Sequence, residues 1–245
     1  MKKPKPKTKR RTYIFLTILM LLIGLPFLSY PLSYQPHTNA MDAYSRSVKM
    51  NGYYSYPNHE STIGIIVYPG GLVNPVSYAW FAETLSIDSN ASVFVTQPLW
   101  NLAITNIQGA NSIIESNPDI DFWIIGGHSL GGSSAAFFTI DHLDDIQGLF
   151  FLASYTTENA DFSQTVLPIL SITASKDQIL DVDTYQAARA YHSSLTTLVS
   201  IEGGNHSQFG DYGLQRGDGV AQINVERQLQ LTISAITSWL ATLIP

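Results

Sequence analysis

Short runs of consecutive apolar residues alternate along this chain with longer stretches of helical periodicity. The runs T-I-G-I-I-V-Y (62–68), A-S-V-F-V-T (91–96), F-W-I-I-G-G (122–127), I-Q-G-L-F-F-L-A (146–153), L-P-I-L-S-I-T-A (167–174) and T-L-V-S-I-E (197–202) are apolar with little polar alternation. Such runs are the signature of strands buried on both faces. Residues 77–86, 102–116, 131–143, 184–192 and 221–243 read as the helices between and after them. Residues 51–56 read as a first edge strand inside an otherwise polar linker and lead-in at 35–60. Sequential β-α repetition predicts an α/β fold with a mostly parallel, doubly wound sheet, or a barrel. No internal repeat and no second domain interrupts residues 61–245, which are expected to form one domain.

The N-terminus has a different pattern. Residues 1–12 carry seven basic side chains, Lys2, Lys3, Lys5, Lys7, Lys9, Arg10 and Arg11, and residues 13–34 carry no charge. That apolar run is long enough to cross about 30 Å of hydrocarbon. Tyr13, Tyr30 and Tyr34 stand where interfacial aromatics are usual, and the basic tip is expected to stay cytoplasmic. The expectation is therefore one transmembrane helix and a single-pass protein of the cell membrane, its body extracytoplasmic. A cleaved signal peptide, with a weak small-x-small site at Thr38 and Ala40 and a secreted product, is the competing reading.

Charge sharpens the contrast. Six of the thirteen basic residues and all nineteen acidic residues lie beyond residue 40, so the body carries a net −13. Such a body offers nucleic acid no basic surface, and no nucleic-acid partner is expected. There is no cysteine, which excludes thiol catalysis, disulfides and a lipidated N-terminal cysteine.

The candidate chemistry begins at G-G-H-S-L-G-G, residues 126–132, where Gly127, His128, Ser129, Leu130 and Gly131 make a G-x-S-x-G. A buried strand precedes it and a small-residue helix follows, which is the setting of a nucleophile elbow. A serine at the tip of so sharp a turn needs strained dihedrals to expose Oγ, and glycines two before and two after give it room. The following helix turns its N-terminal amides toward a developing negative charge.

Of the histidines, His37 lies in the linker and His59 before the first core strand. His128 is inside the elbow, and His142 and His192 sit near helix ends. Only His206, in G-G-N-H-S-Q-F-G, follows the last strand in a loop, as the base of such a sheet should. The acid is expected after the penultimate strand, in T-A-S-K-D-Q-I-L-D-V-D. Asp177 is nearest the strand end; Asp181 and Asp183 are alternatives, the latter with the look of a helix N-cap. One oxyanion donor is expected at the amide of Leu130, the second from Y-P-G-G-L-V-N-P at Gly71 or Leu72.

With these blocks in place the body resembles the α/β-hydrolase superfamily over roughly residues 63–243. It is most similar to the small lidless family-5 group related to dienelactone hydrolase. Y-P-G-G-L-V-N-P with Tyr78, G-G-H-S-L-G-G, and E-G-G-N-H-S-Q-F-G-D-Y-G carry the resemblance. It implies a Ser129–His206–Asp177 triad and hydrolysis of carboxylic esters. The cysteine nucleophile of dienelactone hydrolase is absent here, so that substrate does not transfer. Neither a metal nor a cofactor is called for. Asp211 and Asp218, among the glycines after His206, could ligate a cation, but aspartate turns pinning a loop are the favoured reading.

The short connection near 153–167 leaves no room for a lid domain, so an open site for small or accessible esters is expected; Trp80, Trp100 and Tyr78 are candidate pocket walls, though aromatic residues at these spacings are more often core. An acyltransferase with the same triad and a non-catalytic surface binding module are the alternative functions.

Overall fold

The computed structural model describes residues 33–244. Eight strands form one sheet: β1 (Val48–Met50), β2 (Tyr53–Tyr56), β3 (Ile63–Tyr68), β4 (Ser92–Thr96), β5 (Phe122–His128), β6 (Gly148–Leu152), β7 (Ile169–Ala174) and β8 (Thr196–Ile201). Their spatial order is β1-β2-β4-β3-β5-β6-β7-β8. β1 pairs antiparallel with β2 and β2 with β4; every later pairing is parallel. The sheet is open and doubly wound, which decides against a barrel.

Among the described residues six α-helices accompany it: α1 (Thr38–Arg46), α2 (Ala79–Ser89), α3 (Gly109–Ser116), α4 (Leu130–Ile140), α5 (Val182–Ala188) and α6 (Val225–Leu240). The alternating side chains of β3 explain the two-sided burial. Ile65 and Val67 enter one core with residues of α1, α2 and α6, while Ile66 and Tyr68 enter the other with residues of α3 and α4. A strand that is apolar at every position has no polar face to give to water.

The structure departs from the sequence reading at several element ends. Residues 38–46, expected as linker, form α1, which buries only Ala40 and Ala43. Two alanines give no recognisable apolar periodicity, yet they let α1 lie closely on α2. The helix expected from 102 begins at Gly109, because Trp100 and Asn101 take left-handed backbone (φ 56° each) and 3-10 turns occupy 99–106. Tyr68 stabilises that later start: its hydroxyl accepts from Ala110 N (3.1 Å) and donates to the Ile107 carbonyl. α6 begins at 225 rather than 221 because Asn224 caps it, accepting from Arg227 N at 2.8 Å. Asp181, not Asp183, caps α5, accepting from Thr184 N at 2.7 Å.

No helix among the described residues is long and apolar enough to cross a membrane. The expected span at 13–34 lies outside them except for its last two residues. Tyr34 belongs to the folded body: it bridges to Val73, donates N–H to Leu72 O (2.8 Å), accepts from Asn74 N (2.9 Å) and packs its ring 5.5 Å from Tyr212.

One core side chain makes stability depend on pH. His192 is buried with no hydrogen bond at either ring nitrogen and stacks on Phe151, centroids 5.5 Å apart. Burial, with nearby Arg189, pulls its pKa down from 6.5 to about 4. The unfolded chain therefore binds a proton that the folded chain refuses, and stability falls as pH drops from about 6.5 toward 4. His192→Phe keeps the stacked ring and removes the titration. Thermal melting at pH 7.5 and 5.0 is expected to show a Tm loss smaller by roughly 2–4 °C in the variant. An equal loss in both proteins would show that His192 is not the responsible group.

Candidate active site

The site forms at the carboxyl ends of β3, β5, β7 and β8, where an open α/β sheet places its ligands. β5 ends at His128, and the chain turns at Ser129 with φ 52° and ψ −123° before α4 begins at Leu130. The turn fits only because glycines flank it. A Cβ on Gly127 would lie 2.5 Å from Tyr68 O, and a Cβ on Gly131 would run into the same carbonyl. The backbone is pinned by Ser129 N donating to Leu152 O (2.9 Å) and by Ser154 Oγ donating to Ser129 O (2.6 Å). Ser154 lies outside every motif, so no sequence signal marks it.

His206 follows β8 and is almost wholly buried, as is Asp177 after β7. His206 Nδ1 lies 2.8 Å from Asp177 Oδ2. The other oxygen of Asp177 accepts from Ile179 N and Leu180 N, both at 2.8 Å, which orients the carboxylate. His206 Nε2 is buried and has no hydrogen-bond partner. It is the ring nitrogen left for chemistry, since Nδ1 is taken. Ser129 and His206 line one cavity of about 300 Å³, together with Leu130, Ser133, Tyr155 and Ile179. Of the alternative acids, Asp181 stands at the edge of this cavity as the cap of α5, and Asp183 is an exposed first-turn residue of that helix. Neither makes a hydrogen bond or ion pair with His206. Two larger hollows, of about 370 and 750 Å³, do not include Ser129.

The amides separate the oxyanion candidates. Leu72, at φ 57°, donates its N–H to Asn101 O at 2.8 Å and so is spent, which removes it as a donor. Gly70 N donates to Tyr78 OH at 2.9 Å. Neither Gly71 N nor Leu130 N has a partner among the described hydrogen bonds. A Cβ on Gly71 would lie 3.1 Å from the Leu130 side chain, so the two free amides belong to adjoining residues.

A polar chain beneath the site escaped the sequence reading. Tyr78 OH accepts from Gly70 N and therefore donates to His128 Nδ1, 2.7 Å away. That assignment leaves the proton of His128 on Nε2. Burial first, and then the neighbouring His206, hold the His128 pKa well below 6.5. Burial pushes the Tyr78 phenol upward, so both partners stay neutral. Tyr78 is thus a strut under the 70–72 loop rather than a pocket wall. Trp80 packs against the core and Trp100 is partly exposed; neither lines the cavity around Ser129. Residues 153–168, between β6 and β7, contain one short 3-10 turn and no α-helix or strand, and they bury Ala160 and Phe162 against the core. Among the described residues no cluster of His, Asp or Glu could hold a metal ion.

Eight strands in this order, with a strained serine after β5 and a histidine–aspartate pair after β8 and β7, define a class of hydrolases. A model of the alpha/beta hydrolase family matches residues 64–230, and the chain belongs to that family. No curated protein matches the sequence. Among solved structures the fold is similar to an esterase of Pyrobaculum calidifontis (14% identity, 90% of this chain and 92% of that one covered, TM-score 0.59). It is also similar to carboxyl esterase 2 of Tuber melanosporum (13%, 81% and 86%, TM-score 0.56) and to mouse alpha/beta hydrolase domain-containing protein 10 (14%, 81% and 98%, TM-score 0.56).

The strut generates a prediction. Tyr78→Phe leaves Gly70 N–H and His128 Nδ1 buried without partners, at a cost of about 1–3 kcal/mol each. The expected result is a lower melting temperature and a fall of roughly tenfold in kcat/KM, because the loop bearing Gly71 loses its support. Unchanged melting and turnover would show that the strut carries nothing.

Proposed function

We propose that this protein is a serine hydrolase that cleaves carboxylic esters through an acyl-enzyme on Ser129, with His206 as general base and acid and Asp177 as the orienting carboxylate. One observation carries the reading. A serine in strained elbow backbone shares a cavity with a histidine whose Nδ1 is held by a carboxylate and whose Nε2 is unspent. Two of the similar folds are described as esterases, which agrees with this chemistry.

Each residue then has one task. His206 Nε2 takes the proton of Ser129 Oγ as the oxygen attacks the ester carbonyl. The tetrahedral oxyanion accepts hydrogen bonds from Leu130 N and Gly71 N, with the N-terminus of α4 behind them. His206 returns its proton to the leaving alkoxide, and the alcohol departs. Water, deprotonated at the same Nε2, attacks the acyl carbonyl; the proton returns to Ser129 Oγ and the acid leaves. Asp177 stabilises the imidazolium and fixes the tautomer throughout.

The substrate is a small or accessible ester. The cavity is at the low end of ligand-pocket volumes. With no lid element in 153–168, it lacks a covered channel for a long chain. We read residues 13–33 as the membrane anchor, which keeps the body at the outer face of the cell membrane. Tyr34 is already part of the body, so the span ends before it, and some 20 residues still reach about 30 Å.

Ser129→Ala is expected to lose fluorophosphonate labelling and to lower kcat by about 10⁴-fold or more. Asp177→Asn should lower kcat by about 10³–10⁴-fold with the fold intact. Labelling that persists in Ser129→Ala would remove the nucleophile assignment. In a chain-length panel, short p-nitrophenyl esters should exceed emulsified long-chain triglycerides; the reverse order would overturn the substrate reading. Acyl transfer to added alcohols at the expense of water would mark an acyltransferase. Alkaline-carbonate extraction of cell membranes tests the anchor: a body released into the supernatant would contradict it.

A further inference from the structure

The glycine-rich block after His206 holds two aspartates with no part in the chemistry above, and their surroundings differ. Asp211 is turned toward the N-terminal region. Its Oδ2 accepts from Ala40 N in α1 at 3.1 Å, and its Oδ1 lies 3.6 Å from His37 Nδ1. Asp218 is turned toward the catalytic loops. Its Oδ2 accepts from Ser207 N (2.8 Å) and Ser207 Oγ (2.5 Å). Its Oδ1 accepts from Gly219 N (2.8 Å), Gln178 N (3.3 Å) and His206 N (3.4 Å). Ser207 Oγ accepts in turn from Gln215 N at 2.8 Å, which closes the loop upon itself.

We propose that Asp218 is a positioning residue that sets the register between the base-bearing and acid-bearing loops. The claim rests on the reading of Ser129, His206 and Asp177 as a triad. Gln178 is the chain neighbour of Asp177, and His206 is the base itself. One carboxylate thus grips the backbone on both sides of the His206–Asp177 pair. The β7–β8 ladder ends at Ala174 and Ile201, and beyond it Lys176 N donates to Gly204 O at 2.8 Å; the Asp218 carboxylate extends that register to the residues that carry the pair. The direct bond between Nδ1 and Oδ2 forms at the ends of two side chains, and rotation can break it. A clamp of four backbone amides and the Ser207 hydroxyl holds both loops in the register at which the side chains meet.

The donor set also explains why the residue is an aspartate. All five partners give hydrogens, and only an ionised carboxylate accepts on both oxygens. An asparagine would turn its amide hydrogens toward one set of backbone donors and lose that side of the clamp. This use of the residue takes the place of the cation site that two nearby aspartates would otherwise suggest.

The test compares full-length wild type, Asp218→Asn, Asp218→Ala and Asp211→Ala in detergent micelles. The readouts are kcat and KM on a short ester, the melting temperature, and the low-field proton resonance of His206 Nδ1–H, assigned by its loss in His206→Gln. Both Asp218 variants are expected to lose about 10- to 100-fold in kcat with KM within about twofold. Their low-field resonance should broaden or vanish well below the melting temperature. Asp211→Ala is expected to melt earlier while keeping the resonance and kcat within about twofold. The proposal is overturned if the Asp218 variants, per folded molecule, keep the resonance and turn over like Asp211→Ala. If wild-type protein fails to label at Ser129, the triad reading falls, while the resonance still decides whether Asp218 holds His206 on Asp177.

Discussion

The chain reverses at Ser129 in a conformation that an L-residue adopts only under constraint, φ 52° with ψ −123°. Strain of this kind costs on the order of 1–3 kcal/mol and persists only where the surroundings over-determine it. Here the surroundings are a carbonyl from β3 against Gly127 and Gly131, a carbonyl from β6 on Ser129 N, and a hydroxyl from Ser154 on Ser129 O. Two segments distant in sequence, the end of β3 and the end of β6 with Ser154, therefore hold one backbone angle. The central strands exist as a packed sheet for many reasons, but their alignment at the carboxyl edge is what makes this serine a turn tip rather than a helix start.

A second tier of hydrogen bonds lies beneath and behind the reacting groups. Tyr78 ties the loop of Gly70 to the floor at His128, and Asp218 ties the loop of Asp177 to that of His206. Both devices act on backbone amides as well as side chains. That matters because the reacting residues sit on loops, whose conformations are not held by ladders. A site built on loops reaches sub-ångström order only when other residues lock those loops.

How far the sequence revealed this follows from what each feature needed. The six core strands were legible because burial on both faces writes an uninterrupted apolar run. The elbow was legible because its glycines are demanded by close approach, and position along the chain singled out His206 and Asp177. α1 was not legible, since it packs through two alanines and otherwise looks like a polar linker. Between Gly71 and Leu72 the sequence offered no choice, because the difference is a hydrogen bond from Leu72 to Asn101, a residue remote in the chain, with left-handed backbone at both ends. Asp183 was mistaken for the cap because both aspartates precede helix-forming residues, and only the start of α5 separates them. Ser154 and the tasks of Tyr78 and Asp218 depend on contacts between segments, which no local pattern records.

The packing of two imidazoles gives the electrostatic logic of the site. The rings of His128 and His206 have centroids 4.4 Å apart. If His128 could take a proton, its charge would oppose the imidazolium that the proposed mechanism forms on His206. Burial prevents this, since the same desolvation that holds His128 well below its ordinary pKa keeps the floor neutral. Tyr78, its phenol raised by burial, donates to His128 without becoming an anion that would draw the proton away from His206. The carboxylate in direct contact with His206 is then Asp177, on the side away from the unspent nitrogen. A neutral histidine in G-H-S-L-G packs an uncharged aromatic ring against His206 from below, and the Tyr78 hydroxyl is what fixes its tautomer.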